Sequence, residues 1–110
     1  MDIKEVIDYS LTFAEAASSP HFHKTSFRVR KKIFATLDEK ESTLVVKFNE
    51  VDQSVFSDLG KEFIYPVPGG WGKKGWTILK YESLGKDIIK DALCLSYCTV
   101  APAKLAALYM

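Results

Sequence analysis

The sequence predicts an α+β fold: a single antiparallel sheet of about five strands backed by helices, in the order α-β-β-β-α-β-β-α. Three observations carry that reading. Apolar residues recur at helical spacing near both ends of the chain. The middle alternates apolar with polar or is rich in β-branched and aromatic residues, and the connections between its first strands are too short for the crossover a parallel pair needs.

The elements follow in order. Ile3, Val6, Ile7, Ser10, Leu11, Ala14 and Ala17 fall at the three-and-four spacing of one helical stripe, so a first helix is expected to run to Ser18-Ser19-Pro20. Thr25-Ser26-Phe27-Arg28-Val29 and Ile33-Phe34-Ala35-Thr36-Leu37 read as a β-hairpin around a basic tip, and Thr43-Leu44-Val45-Val46-Lys47-Phe48 as a third strand after a charged turn. Asn49 is placed to cap a short helix with apolar positions Val51, Val55, Phe56 and Leu59, stopped by Gly60 in a left-handed conformation. Phe63-Ile64-Tyr65 gives a strand ending at Pro66. After a glycine-rich loop, Trp76-Thr77-Ile78-Leu79-Lys80-Tyr81 gives the next, with Trp76 expected to be substantially buried in the core. A last helix begins near Ser83, carries Ile88, Ile89, Ala92, Leu93, Leu95 and Tyr97, and is broken by Pro102 from a terminal turn.

Residues 1–110 read as a single domain, long enough to bury roughly 65% of the surface an unfolded chain exposes. Hydrophobic residues at 47% and charged residues at 26% indicate neither disorder nor a membrane class. No apolar run approaches the roughly 18 residues that span a bilayer. The N-terminal Met-Asp-Ile-Lys-Glu lacks the pattern of a signal peptide, so the expected location is cytoplasmic.

The formal net charge of +1 conceals an uneven distribution. Residues 2–18 hold four acids and one base, whereas residues 21–32 hold five bases (Lys24, Arg28, Arg30, Lys31, Lys32) and no acid. Such a run is a solvated face or an anion-binding surface.

Cys94 and Cys98 lie one helical turn apart in an apolar segment and read as reduced thiols, since a zinc site needs four ligands and only the distant His21 and His23 could complete one. Those histidines alternate on an expected strand and could supply half of a metal or acid-base site, or interact locally beside Pro20. No nucleophile motif, working carboxylate pair or complete metal set appears, so neither catalysis nor a cofactor is expected.

The stretch Gly-Gly-Trp-Gly-Lys-Lys-Gly-Trp at residues 69–76 contains the letters G-x-G-x-x-G from Gly70 through Gly72 to Gly75. A phosphate-binding loop of that kind must follow a strand and open a helix. Here the loop is expected to lead into a strand, so the glycines are read as making a tight turn.

Three segments resemble the MmcQ/YjbR family of small bacterial proteins. Phe27-Arg28-Val29-Arg30-Lys31-Lys32-Ile33-Phe34-Ala35 is similar to its hairpin, Pro68 through Lys73 to Trp76 to its proline, lysine and tryptophan loop, and Ser96-Tyr97 to its helical serine-tyrosine pair. The resemblance spans essentially the whole domain, with Arg30-Lys31 standing where the family often has glycines, and Gly72 and Gly75 where it often has polar residues. It implies a fold similar to that of secretion chaperones and a "double wing" mode of DNA binding. Arg28, Arg30, Lys31 and Lys32 would form one wing and Lys73 and Lys74 the other. These side chains would contact phosphates with slight sequence preference, and Trp71 would pack locally or stack on an unpaired base. The alternative is a protein-interaction or chaperone-like module acting without nucleic acid, as a monomer or weak homodimer with no membrane attachment. A net charge this near zero is unlike that of a typical nucleic-acid binder.

Overall fold

Alternation fixes which side of each strand meets the helices, and the residues buried on alternate positions show it at once. The computed structural model describes residues 1–110. Helix α1 spans Ile3–Ser10, strands β1 to β4 span Ala16–His21, Lys24–Val29, Lys32–Asp38 and Thr43–Lys47, and α2 spans Glu50–Gly60. Then come β5 (Ile64–Pro66), a single helical turn α3 (Gly70–Lys73), β6 (Trp76–Leu79), α4 (Lys86–Val100) and the short α5 (Ala103–Ala106). The six strands form one sheet in the order β1-β2-β3-β4-β6-β5, antiparallel throughout.

The chief departure from the expected order is β1. The sequence reading carried the first helix through to Ser18. Instead α1, started by a reciprocal cap between Asp2 and Glu5, ends at Ser10, whose hydroxyl turns back to the Val6 carbonyl at 2.8 Å. Residues Ala16–His21 then pair along their whole length with β2, from Ala16 opposite Val29 to His21 opposite Lys24. The small apolar residues at 14 and 17 mimic a helical stripe, but Ala14 lies in the turn after α1 and the free edge of β2 recruits Ala17 into a strand. The sheet therefore has six strands rather than about five. Both edge strands carry a proline, Pro20 in β1 and Pro66 at the end of the three-residue β5.

On the inner face, Phe27, Val29, Phe34, Leu44, Val46 and Leu79 have no exposed surface, and α4 lies across β3 and β4 with Ile89, Leu93 and Tyr97 equally buried. Val6 of α1 joins the same core, and Glu5 pairs with Lys86 at 2.6 Å where α1 meets the start of α4. Phe13 stacks on Tyr97 with ring centroids 4.8 Å apart. A bulge in β3 sets Phe34 out of register, because Phe27 faces Ala35 while Arg28 already faces Ile33. The Ser96 hydroxyl of α4 donates to the Phe34 carbonyl and accepts the Lys47 N–H at 2.8 Å. It thereby satisfies two backbone groups at the end of the β3–β4 ladder.

Helix α2 is capped by Asn49, as expected, but two other expectations fail. Gly60 has φ −86° and is no left-handed stop; a positive φ, of 52°, falls instead on Lys61, whose ψ of −123° is not that of a left-handed helical residue. Glycine is needed at 60 because a Cβ would run into the Ile64 side chain. Only Phe56 of the expected apolar face is buried, stacked on Phe48 at 4.7 Å, whereas Val51, Val55 and Leu59 lie exposed. Cys94 and Cys98 are free and half-buried on one side of α4, and burial together with Cys94 pushes the Cys98 thiol up to about 11. No helix is long and apolar enough to cross a membrane.

Candidate functional site

The β2–β3 hairpin closes with Val29 opposite Lys32, leaving Arg30 and Lys31 as a two-residue turn with φ of 51° and 70°. Both residues occupy the left-handed region that such turns normally fill with Asn or Gly. For a side-chain-bearing residue this costs on the order of 1 kcal/mol each. Arg30 is anchored: its guanidinium makes a fork to the Glu15 carboxylate, Nε to Oε1 at 2.7 Å and Nη2 to Oε2 at 3.0 Å. That donor pair holds the Glu15 carboxyl below its ordinary range. Lys31 remains exposed at the tip without an ion-pair partner.

Behind the tip lies a cavity of about 500 Å³ bordered by Arg28, Lys31, Lys32 and Lys47, with Ile33 at its inner edge. No acidic residue lines it. The Thr99–Val100 end of α4 completes the border, so these cations also complement the negative end of a helix that has no basic residue in its own last turn. Arg28 is half-buried and positioned by a bond from its Nε to the Ser26 hydroxyl at 3.1 Å.

The glycine loop is built for close backbone approach. A Cβ at Gly72 would strike the Val67 carbonyl and one at Gly75 the Phe48 carbonyl, while Gly69 and Gly75 have φ of 82° and 104°. The Phe48 N–H donates to the Gly75 carbonyl at 2.9 Å, and Gln53 of α2 donates through Nε2 to the Gly72 carbonyl at 2.8 Å and the Thr77 hydroxyl at 3.1 Å. One helical turn, α3, intervenes before β6, which the sequence reading did not foresee. The glycines nonetheless serve packing and turning.

On β6, Thr77 and Leu79 take the inner face with no exposed surface, so Trp76 and Ile78 must face the other way. Trp76 is accordingly half-buried on the open side of the sheet, not in the core where the sequence reading put it. Strand parity is decided here by Leu79. Lys47 sits with its ammonium 5.6 Å from the Trp76 ring centre, and Lys74 sits 5.2 Å from that of Trp71.

This open face holds a second cavity, of about 700 Å³, floored by Ile33, Thr36 and Trp76. On one side stands Trp71, 63% exposed, and on the other the β1–β2 turn, whose tip Phe22 is 91% exposed at φ 59°. His21 and His23 flank Phe22 in that turn, and His23 Nε2 lies 3.4 Å from the Asp38 carboxylate. No three His, Cys, Asp or Glu side chains gather where a metal ion would sit. Ile33 borders both cavities, so the aromatic one and the basic one adjoin.

Of the residues singled out in the sequence, Arg28, Lys31 and Lys32 are thus brought around one cavity and Trp71 borders the other. Arg30 is held by Glu15, and Lys73 and Lys74 line neither. The register still sets both tips toward one end of the sheet, because Val29 pairs with Lys32 at the hairpin end of β3, β4 follows β3 in that direction as far as Val46 opposite Ala35, and the next residue, Lys47, pairs with Trp76. Lys47 and Phe22 were missed. An aromatic between two histidines in a strand-to-strand turn was the available signal for Phe22; Lys47 at a strand end gave none.

The YjbR family model matches residues 11–99. Among solved structures, a Deinococcus radiodurans protein with a DUF419 domain is similar at a TM-score of 0.77 and 14% identity, over 88% of this chain and 76% of that one. A Pseudomonas syringae protein is similar at a TM-score of 0.64 and 17% identity, over 87% and 96%. At these identities the likeness is one of fold. No curated protein sequence matches the chain.

Proposed function

The chain belongs to the YjbR family, and from that premise we propose that it binds DNA through the basic end of its sheet. The observation that carries the reading is the ring of Arg28, Lys31, Lys32 and Lys47 around one acid-free cavity, at the same end of the sheet as the second basic tip, Lys73-Lys74. Cations of this kind meet phosphate oxygens and release condensed counterions, which yields affinity without reading bases. The hairpin tip and α3 act as the two wings. The activity is binding rather than catalysis, it needs no cofactor, and it belongs in the cytoplasm, where Cys94 and Cys98 stay reduced.

Fluorescence anisotropy of labelled DNA titrated at several salt concentrations tests the proposal. With about four phosphates neutralised, the log-log salt slope lies near −4, at about −0.9 per contact. Replacing Lys31 and Lys32 by Ala flattens it by about two units. Absence of binding at about 50 mM salt, or a slope indifferent to these substitutions, overturns it.

A second reading rests on α2, whose Val51, Val55 and Leu59 are 69%, 55% and 57% exposed at one-turn spacing. This stripe suits a protein partner or a weak homodimer. Light scattering that shows a mass rising with concentration, and falling back in Val55→Glu, would favour it.

A further inference from the structure

We infer that the DNA taken by this protein is single-stranded, with an unpaired base held in the aromatic cavity and its flanking phosphates on the adjoining basic one. The inference rests on the DNA-binding reading above and specifies which form of the polymer the site accepts.

The argument starts from two aromatic rings that folding alone does not explain. Phe22 and Trp71 are among the most exposed large apolar side chains of the chain, yet they stand on separate segments, the β1–β2 turn and α3, that border the same cavity. Phe22 does so in a left-handed conformation that a phenylalanine rarely adopts. Beneath them Trp76 forms part of the floor together with Ile33 and Thr36, so a flat ligand meets aromatic surface from the floor and from both sides. The volume, about 700 Å³, is that of a ligand site.

The chemistry of the border then selects the ligand. Each tryptophan has a lysine ammonium over its ring, Lys47 on Trp76 and Lys74 on Trp71, and the cavity opens past Ile33 onto the acid-free ring of cations. A ligand that is flat and apolar in one part and anionic in the next matches this succession, and a nucleotide within a strand has that form. Duplex DNA does not, because its bases are paired and stacked on one another and offer these rings only a phosphate surface. Proteins that take single strands combine the same two elements, a basic groove following the backbone and aromatic platforms for the bases. An open sheet face bearing aromatics serves this purpose in RNA-binding domains.

The test uses the intact chain and its own fluorescence, since Trp71 and Trp76 are its only tryptophans and both border the cavity. An oligothymidine, a duplex of equal length and a strand of abasic sugars with the same number of phosphates are titrated at one salt concentration. The oligothymidine should quench the tryptophans and bind about tenfold or more tighter than the other two. Phe22→Ala and Trp71→Ala should each weaken the oligothymidine by about tenfold, and Phe22→Ala, which lies outside both wings, should leave duplex affinity and salt slope unchanged. Both side chains are exposed, so these variants keep the parent melting curve. Equal affinity for all three polymers, with no quenching and no effect of the aromatic substitutions, would overturn the single-strand inference while leaving backbone binding intact. Failure of all three to bind at about 50 mM salt overturns both.

Discussion

The inner and open faces of the sheet are made by alternate residues of the same strands, yet they are packed in different ways. Leu44, Val46 and Leu79 lie in the helix-backed core with no exposed surface, while their strand neighbours Val45, Ile78 and Trp76 remain half-exposed on the other side. Polar groups follow the same division. On the inner face the Ser96 hydroxyl is consumed by two backbone bonds. On the outer face Lys47 and Lys74 keep ammonium groups beside aromatic rings. The helices thus satisfy one side completely, and two loops border the other without filling it. Apolar residues left over by strand parity become a surface with room for a ligand.

Substitutions can break or sharpen that contrast. The largest effect belongs to the inner face, where Leu44→Ala should cost about 2–5 kcal/mol in urea melts, whereas Ile78→Ala beside it should cost about 1 kcal/mol or less. Equal costs would mean that the open face is core after all. Ser96→Ala removes a hydroxyl that serves a carbonyl and an N–H at once, and the same melts should register a loss of about 2–3 kcal/mol. Lys31→Gly acts in the opposite direction. It relieves a left-handed residue, should stabilise the fold by about 1 kcal/mol, and should weaken DNA binding. A destabilised K31G would show that the turn is not strained.

The smallest change to the fold comes from Glu15→Gln, which opens the fork on Arg30. Stability should barely shift, because the pair is exposed to solvent, and the released guanidinium should steepen the salt slope of DNA binding by about one unit. Acid should mimic the substitution. The Glu15 carboxyl is depressed in the folded chain, so the pairing is fully present above its ordinary value of 4.5 and is lost as pH falls through the lower, folded-state value. An NMR titration of that carboxyl would follow the loss.

Much of this arrangement was legible in the sequence, and the rest was not for identifiable reasons. The hairpin, the Asn49 cap of α2 and the long α4 came from alternation, a capping residue and helical spacing, although packing leaves the apolar positions expected of α2 exposed except Phe56. The strand at Ala16–His21 was hidden because Ala14 and Ala17 satisfy a helical stripe equally well, and only the edge of β2 decides between the two. The basic wing was visible as five cations without an acid in residues 21–32. That Arg30 is engaged by Glu15 could not be read, since the partner lies fifteen residues away across a strand. Trp76 is expected in the core as the first residue of an apolar strand, although its parity with Leu79 points outward.

The two prolines at the margins of the sheet bear on how the molecule behaves in a crowd. Six open-ended strands present two rims of unpaired backbone, the usual template on which one chain templates another into fibres. Pro20 removes a donor from one rim, and Pro66 closes the other after only three residues. Neighbouring copies therefore find no continuous rail along which to add strand to strand, so the chain can leave one apolar sheet face unsealed in concentrated solution without growing into a filament.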